Sequence, residues 1–225
     1  MTNDKITAAE MAQYIDHTLL KPEAAFDALA KLGAEAISYN FKAVCVNSAN
    51  VAYIAAKLQG SNVAVCTVVG FPLGAMQTRA KAFEAQNAVA EGATELDMVL
   101  NIGALKSGDL KTVAADIRAV RKAAESPIVL KVIIETCLLT EEEKIKASEI
   151  TKDAGADFVK TSTGFAGGGA TMEDVALMRE VVGRDMGIKA SGGIKDWSTA
   201  LMMIKAGATR LGTSSGVEIV ENAGA

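Results

Sequence analysis

Short runs of apolar residues recur along the chain, and each is followed by a longer stretch with helical spacing. Most runs are nearly continuous in apolar, often β-branched residues, rather than alternating with polar ones. Such runs are typical of parallel strands that helices cover. The sequence therefore predicts eight parallel strands, at residues 15–20, 43–46, 63–69, 96–100, 128–134, 158–161, 188–190 and 210–212.

The segments between the runs carry the 3.6-residue period of helices that are apolar on one side, as at Val51, Ile54 and Leu58. Thr140 and the three glutamates after it have the form of a helix capping box. Eight such units without a linker predict an α/β fold with one domain over residues 1–225, a single (β/α)8 TIM barrel. An open doubly wound sheet is the alternative. We prefer the barrel because the strand count is eight.

Composition removes several classes of function. The net charge is −4, from 23 basic and 27 acidic residues, and no basic run offers a surface to a nucleic-acid backbone. No stretch reaches the ~18 apolar residues of a membrane span, and residues 1–10 lack the apolar block of a secretory signal. We therefore expect no nucleic-acid partner, no membrane association and a cytoplasmic location.

Histidine and cysteine usage narrows the chemistry. His17 is the single histidine, so zinc sites built on several histidines are excluded, and we expect His17 to be a hydrogen-bonded structural residue. Cys45, Cys66 and Cys137 are widely spaced and form no CxxC pair. This pattern argues against a disulfide framework or a cysteine metal site and is typical of a reducing compartment.

Three lysines interrupt apolar runs at equal spacing. Lys131, Lys160 and Lys189 are 29 residues apart, which predicts equivalent positions on three successive strands, with side chains directed to the barrel mouth. Ammonium groups crowded in a partly dry site should lower at least one lysine pKa, and a neutral lysine can form a Schiff base with a carbonyl group. The alternative is a set of structural ion pairs, and it applies best to Lys131.

Two aspartates occupy similarly buried positions. Asp97 lies in the run before that of Lys131, where it would serve as a counter-ion or as a proton shuttle in acid–base catalysis. Asp16 lies in the first run and could orient a polar group of a substrate.

Turns rich in glycine and hydroxyl groups follow the last two runs, at residues 191–194 and 212–216. The loops after strands seven and eight of a barrel often bind phosphate. Glycine admits close backbone approach, and helix N-termini attract anions. A third glycine-rich segment, residues 164–170, predicts a lid or a flexible connection. Together these features predict a phosphosugar or phosphoaldehyde enzyme with an amine nucleophile.

The same residues lie in stretches that resemble the deoxyribose-phosphate aldolase family, of the Schiff-base class. The resemblance runs from residue 15 to residue 215. It implies a barrel that reversibly cleaves 2-deoxy-D-ribose 5-phosphate to acetaldehyde and D-glyceraldehyde 3-phosphate, without metal or other cofactor, as a homodimer. The most specific stretches are residues 68–74 (VVGFPLG), 95–103 (ELDMVLNIG), 130–136 (LKVIIET), 158–165 (FVKTSTGF) and 189–194 (KASGGI).

The resemblance also implies roles for individual residues. Lys160 would be the Schiff-base lysine, Lys189 a second lysine that helps to move protons, and Asp97 an acid–base group that works with Lys189 and a water molecule. Thr18 and Thr163 would lie near the substrate. Lys131 and Asp16, singled out above from their places in the apolar runs, are expected to support the same site. The phosphate-binding positions would be Gly164, Gly192, Gly193, Ser214 and Ser215.

Two features depart from the pattern of some family members. Phe165 stands where they have a lysine, which would weaken the hold on phosphate unless Lys195 supplies the charge. The chain also ends without their C-terminal tyrosine. Three alternatives remain open: another Schiff-base aldolase or transaldolase, a phosphosugar isomerase, and a non-catalytic phosphosugar-binding protein.

Overall fold

A computed structural model describes residues 6–224 of the chain. Residues 1–5 and Ala225, which belong to the predicted domain, lie outside the described residues; so does the first half of the segment considered for a secretory signal. Eight parallel strands close into a barrel in the order of the sequence, which confirms the predicted barrel against the open sheet. The strands are β1 (Ile15–Leu19), β2 (Ala43–Val46), β3 (Ala64–Val69), β4 (Glu95–Val99), β5 (Val129–Ile133), β6 (Phe158–Lys160), β7 (Gly187–Ser191) and β8 (Arg210–Thr213).

Both ends of every strand lie within one residue of the predicted run, because continuous apolar runs are easily distinguished from the amphipathic helices between them. The helices surround the barrel, and short 3-10 turns at Ser48–Asn50 and Thr136–Leu138 follow β2 and β5. The helices are α1 (Ala8–Ala12), α2 (Phe26–Ser38), α3 (Val51–Leu58), α4 (Thr78–Ala90), α5 (Ile102–Lys106), α6 (Leu110–Ala123), α7 (Glu141–Asp153), α8 (Met172–Val182), α9 (Trp197–Ala206) and α10 (Gly216–Glu221).

Local signals fix the ends of several helices. The predicted capping box of α7 is confirmed: Thr140 Oγ1 accepts from the backbone N–H of Glu143, and the Glu143 carboxylate accepts from the backbone N–H of Thr140. Gly207 ends α9 in the left-handed region, at φ 119°, where glycine has no Cβ to clash. No helix in residues 6–224 is long and apolar enough to cross a membrane.

Side-chain alternation along the strands divides the residues between two layers. Ile15 belongs to the large apolar core around the strands, while Asp16 points into the barrel and contacts Lys189. A small apolar cluster of Leu20, Ala43, Cys45, Cys66 and Val68 fills one side of the interior. Buried charged residues fill the rest, and we call them the ionic cluster: Asp16, Glu95, Asp97, Lys131, Lys160, Lys189 and Arg210.

Candidate active site

The three predicted lysines converge on Asp97, which is fully buried in the barrel interior. Asp97 Oδ2 accepts hydrogen bonds from Lys160 Nζ at 2.6 Å and Lys189 Nζ at 2.7 Å, and Asp97 Oδ1 accepts from Lys131 Nζ at 2.9 Å. One carboxylate thus joins three ammonium groups from three successive strands. The structure therefore brings together the three lysines singled out by their spacing and the aspartate singled out by its place in an apolar run.

The predicted equivalence of the three lysines is wrong for Lys131. Lys160 pairs with Lys189 across β6 and β7, so these two lie at the same level. Across β5 and β6, however, Lys160 pairs with Ile133, two residues beyond Lys131. Lys131 therefore lies one side-chain layer closer to the N-terminal end of the barrel, because equal spacing in sequence ignores the stagger of neighbouring strands.

A second layer of charges lies under Asp97. Asp16 accepts from Lys189 and, at 2.8 Å, from Arg210 Nη1, and the Asp16 oxygen that faces Lys189 lies 3.7 Å from Lys131 Nζ. Glu95 Oε2 contacts Lys131 Nζ at 2.6 Å and Arg210 Nη1 at 2.9 Å. Sequence reasoning missed Glu95 and Arg210. The available signal was their place at the first residues of β4 and β8, where Glu95 shares the inward face of Asp97.

The electrostatics of the cluster favour ion pairs over neutral groups. Burial alone would raise the pKa of Asp97, but the charges of Lys131, Lys160 and Lys189 outweigh it and hold this pKa well below its usual range. Burial likewise opposes the ionisation of Asp16. The charges of Lys189 and Arg210 outweigh this effect, so the pKa of Asp16 is lowered. Both carboxylates are therefore ionised at neutral pH.

Neither Lys131 nor Lys189 is a lysine whose pKa the crowding of ammonium groups lowers. Burial lowers the pKa of Lys131, yet Asp97, Glu95 and Asp16 together raise it well above the usual value. Asp16 and Asp97 raise the pKa of Lys189 in the same way, against the effect of burial. Both residues stay protonated because the carboxylates around them exert a stronger effect than the neighbouring ammonium groups.

A cavity of about 300 Å³ opens above the cluster at the C-terminal ends of the strands. Lys160 is the member of the cluster that lines it. Of the described residues in its wall, three are lysines (Lys21, Lys160 and Lys195) and none is acidic, so the cavity suits an anionic ligand. Six further predicted residues line it: Thr18, Thr163, Gly164, Gly192, Gly193 and Ser214. Ser215 lies next to this wall but is not part of it.

The glycines after β7 allow two loops to meet. Gly192 has φ 84°, and a Cβ there would lie 2.9 Å from the Cα of Gly169 in the loop after β6. The N–H of Ala170 bonds to the carbonyls of Ser191 and Gly192 at 3.0 and 3.1 Å, which joins these loops. The glycine-rich segment after Lys160 is therefore joined to β7 beside the cavity at Ala170, and its role as a lid or a flexible connection stays a prediction.

Phe165 occupies the position of the expected lysine. Its ring packs edge-on against Phe71, with centroids 5.2 Å apart, and half of the residue remains exposed. Lys195, which the sequence suggested as a substitute, lines the same cavity. Lys21, just after β1, lines it too and was missed, because an isolated lysine in a loop carries no sequence signal.

His17 lies outside the site, as expected. It points from β1 toward α2, where its Nε2 lies 2.9 Å from a Glu35 carboxylate oxygen, and its ring packs against Phe41. Burial lowers the pKa of His17 more than Glu35 raises it. The predicted structural role fits these contacts.

Two triads of buried groups could in principle hold a cation: Cys45, Cys66 and Asp97, and Asp16, Cys66 and Glu95. Their carboxylate oxygens already accept from ammonium groups, and Lys131 Nζ lies 3.4 Å from Cys66 Sγ. The lysine side chains therefore supply the positive charge that a metal ion would bring. A metal ion would have to displace at least one of them.

Glu135 was also missed, although it organises the wall of the cavity. It follows β5 with a left-handed backbone, at φ 57°, and its buried carboxylate accepts from the N–H of Thr163 at 3.2 Å and from the Thr163 hydroxyl. Thr163 Oγ1 in turn accepts from the N–H of Phe165 at 3.0 Å. One buried carboxylate thus holds the loop that follows Lys160, and a single glutamate after a strand gives no sequence signal of this role.

We expect Glu135→Ala to loosen this loop, since it leaves the buried N–H of Thr163 without its acceptor. Hydrogen exchange measured by mass spectrometry should become faster by at least about tenfold in a peptide covering residues 161–167. Glu135→Gln, which keeps an amide oxygen acceptor, is the matched control and should exchange close to the wild-type rate. Equal exchange in the alanine variant and the wild type would contradict this role.

Comparisons with known proteins agree with this geometry. The model of the family described as DeoC/LacD family aldolase matches residues 10–222. A deoxyribose-phosphate aldolase of Brevibacillus brevis is 61% identical over 213 residues, which cover 95% of this chain and 96% of the relative.

Solved structures agree as well. A protein named QR15, an aldolase, has a TM-score of 0.89 at 43% identity and covers 94% of this chain and 95% of its own. The deoxyribose phosphate aldolase of Aeropyrum pernix, whose structure is described as a unique tetramer, has a TM-score of 0.90 at 34% identity, over 96% and 91% of the two chains. With a family match that spans nearly the whole barrel, the chain belongs to the DeoC/LacD family of aldolases.

Proposed function

We propose that the protein reversibly cleaves 2-deoxy-D-ribose 5-phosphate to acetaldehyde and D-glyceraldehyde 3-phosphate, with Lys160 as the Schiff-base nucleophile. One observation carries this proposal: Lys160 is the lysine of the ionic cluster that lines the cavity. It contacts one carboxylate among the described residues, whereas Lys189 contacts two and Lys131 three. Freeing the amine of Lys160 therefore breaks fewer ion pairs than freeing either of the others.

The chemistry proceeds through an iminium ion. The neutral Lys160 amine attacks the aldehyde carbon of the open-chain sugar, and the carbonyl oxygen leaves as water. The iminium then accepts the electron pair of the breaking carbon–carbon bond, while the hydroxyl on the far side of that bond loses its proton and becomes the aldehyde of glyceraldehyde 3-phosphate. The remaining enamine takes a proton on carbon, and hydrolysis releases acetaldehyde from Lys160.

Asp97 and Lys189 move the protons in this scheme. Asp97 Oδ2 lies within hydrogen-bond distance of both Lys160 and Lys189. This oxygen can therefore carry a proton between the two amines, in either direction. Lys131, fully buried and not part of the cavity wall, fixes the position of Asp97. Asp16 orients Lys189 through their ion pair. Thr18 and Thr163, in the wall, would contact the sugar hydroxyls.

The phosphate would bind at the glycine turns of β6, β7 and β8. Gly164, Gly192, Gly193 and Ser214 border the cavity and offer backbone N–H groups or a hydroxyl, and Ser215 adjoins them. Lys21 and Lys195 bring positive charge to the same cavity in place of the lysine that Phe165 replaces. The proposed phosphate site is therefore divided between the loop after β1, which carries Lys21, and the loops after β6, β7 and β8.

Substitution of both lysines tests this division. Lys21→Ala with Lys195→Ala should raise KM for the phosphorylated sugar by about tenfold to a hundredfold, because two charge-assisted contacts are lost. The same variant should cleave unphosphorylated 2-deoxyribose at the wild-type kcat/KM, which steady-state assays on both sugars will measure. A Lys42→Ala and Lys205→Ala variant, altered at exposed lysines outside the cavity, is the matched control. Equal losses on both sugars would contradict the assignment.

The proposal extends to the setting of the enzyme. We infer that residues 1–225 act as one catalytic domain on small-molecule aldehydes and phosphosugars. We also infer a homodimer, which light scattering can test, and a cytoplasmic location. The free, buried thiols of Cys45 and Cys66 support a reducing compartment.

Borohydride trapping tests the proposed function directly. The protein is incubated with acetaldehyde, reduced, digested and mapped by mass spectrometry, and an ethyl group is expected on Lys160. Retro-aldol assays then compare 2-deoxyribose 5-phosphate with a ketose phosphate, which would yield dihydroxyacetone phosphate in another aldolase class. Labelling of Lys189 or Lys131 instead would reassign the nucleophile. Phosphosugar binding without any adduct would favour a binding protein.

A further inference from the structure

Arg210 and Glu95 form an ion pair at the bottom of the ionic cluster, away from the cavity. Each begins a strand, at the N-terminal end of the barrel, and neither lines the cavity. Arg210 Nη1 bonds to Glu95 at 2.9 Å and to Asp16 at 2.8 Å, and its guanidinium lies over the Phe158 ring at 5.3 Å. Both residues are at most 5% exposed. The chemistry proposed above uses neither of them.

The charges of the cluster do not balance. Its four cations are Lys131, Lys160, Lys189 and Arg210, and its three carboxylates are Asp16, Glu95 and Asp97, so the fully ionised cluster carries one net positive charge. A net charge inside a barrel is costly, and the loss of one proton removes it. Arg210 cannot supply that proton, because guanidinium groups stay charged in proteins.

We infer that Arg210 and Glu95 are positioning residues that set the net charge of the cluster and thereby the pH at which the Lys160 amine becomes free to react. The inference rests on the proposed function and assigns a role to two residues that do not touch the substrate. With Arg210 present, release of the Lys160 proton makes the cluster neutral. Without Arg210, the same release would leave an uncompensated negative charge inside the barrel.

A chain of four hydrogen bonds connects Arg210 to Lys160. Arg210 holds Asp16, Asp16 holds Lys189, and Lys189 shares Asp97 Oδ2 with Lys160. Glu95 closes a second route, from Arg210 through Lys131 to Asp97. The titratable groups that face this network are Asp16 (β1), Cys45 (β2), Cys66 (β3), Glu95 and Asp97 (β4), Lys131 (β5), Lys160 (β6), Lys189 (β7) and Arg210 (β8).

Burial supports Lys160 as the group that gives up the proton. Lys160 is 4% exposed and borders the cavity, so its proton can reach water, whereas Lys131 is 0% exposed. The raised pKa values of Lys131 and Lys189 keep both protonated. Opposite changes in the charge under the site should therefore move the reactivity of Lys160 in opposite directions.

Four variants separate charge from structure. Arg210→Met removes one positive charge, and Glu95→Gln removes one negative charge. The double variant removes both and restores the net charge of the wild type. Arg210→Lys keeps the charge on a smaller group. The measurement is the rate of acetaldehyde trapping on Lys160 under borohydride quench, followed by mass spectrometry at a series of pH values.

We expect the midpoint of the pH dependence to rise by about one pH unit in Arg210→Met and to fall by about one unit in Glu95→Gln, the scale of removing one nearby unit charge in a partly dry site. The double variant and Arg210→Lys should return close to the wild-type midpoint. If Arg210→Met does not fold, the downward shift of Glu95→Gln still decides the question.

Loss of trapping amplitude without a shift of the midpoint, or shifts of the same sign in both single variants, would overturn the inference and leave a purely structural ion pair. These results are distinct from a failure of the proposed function. In that case wild-type Lys160 itself takes no adduct at any pH, and the charge-setting role is rejected with it.

Discussion

Lys160→Met is expected to abolish both acetaldehyde trapping and aldol cleavage, with kcat/KM lower by about 10⁴-fold or more, the scale seen when a covalent nucleophile is removed. Methionine fills a similar volume but cannot form a carbon–nitrogen bond. Lys131 and Lys189 cannot replace it, because neither lines the cavity and each keeps at least two carboxylate partners. Retro-aldol assays with a coupled reductase will measure the loss.

The same substitution should not lower the stability of the barrel. Removal of Lys160 leaves three cations and three carboxylates, and Asp97 keeps its bonds to Lys131 and Lys189. The melting temperature should therefore be equal to that of the wild type or higher. Lys205→Met, at an exposed position on α9, is the matched control and should leave both activity and melting temperature unchanged. Residual cleavage above about one hundredth of wild type would reject Lys160 as the nucleophile.

The sequence predicted the fold well because its signals are local. Eight continuous apolar runs and the amphipathic segments between them determine which residues form strands and which form helices. The closed barrel was predicted from the number of strands, which is eight. The same periodicity placed Lys131, Lys160 and Lys189 on inward faces, and the structure brings all three to Asp97.

What sequence reasoning missed depends on tertiary geometry. The level of Lys131 follows from the stagger between β5 and β6, which no spacing in the chain reveals. Glu95 and Arg210 are 115 residues apart and meet only when β4 and β8 close the same interior. The crowding of ammonium groups was considered without the three carboxylates beside them, and these carboxylates raise the pKa values of Lys131 and Lys189.

The loops show the same limit. Glycine-rich turns correctly indicated where the cavity would open, since a positive φ is a local requirement. Glu135 reaches its partner Thr163 across 28 residues, and Lys21 reaches the cavity because β1 and β8 are neighbours in the closed barrel. Such contacts follow from barrel closure rather than from any motif.

Asp97→Asn should lower kcat/KM by about 10³-fold, within the range expected for loss of a positioned acid–base group. The amide cannot carry a proton from Lys160 to Lys189, and its NH2 group would face ammonium groups that the carboxylate now binds. Formation of the enamine should therefore be impaired more strongly than attack of the Lys160 amine on the aldehyde. In D2O, wild-type enzyme should exchange the methyl protons of acetaldehyde, whereas the variant should retain slow borohydride trapping on Lys160 with little exchange.

Stability provides an independent test of the same substitution. Asp97→Asn leaves a fully protonated cluster with two net positive charges, which should destabilise the barrel by about 3–5 kcal/mol near pH 6. Buried lysines then lose protons in the folded state that they keep when unfolded, so stability should rise as pH rises toward 9. In the wild type the lowered pKa of Asp97 confines its own contribution to a loss below about pH 4.

Denaturant unfolding at pH 6 and pH 9 will measure this difference. Asp109→Asn, which exchanges the same groups at the exposed start of α6, is the matched control, because asparagine can also accept from the N–H of Thr112. It should leave methyl exchange and the pH dependence of unfolding as in the wild type. Methyl exchange at the wild-type rate in Asp97→Asn would show that another group moves the proton. A loss of stability that does not depend on pH would show that the lysines do not share their charge through Asp97.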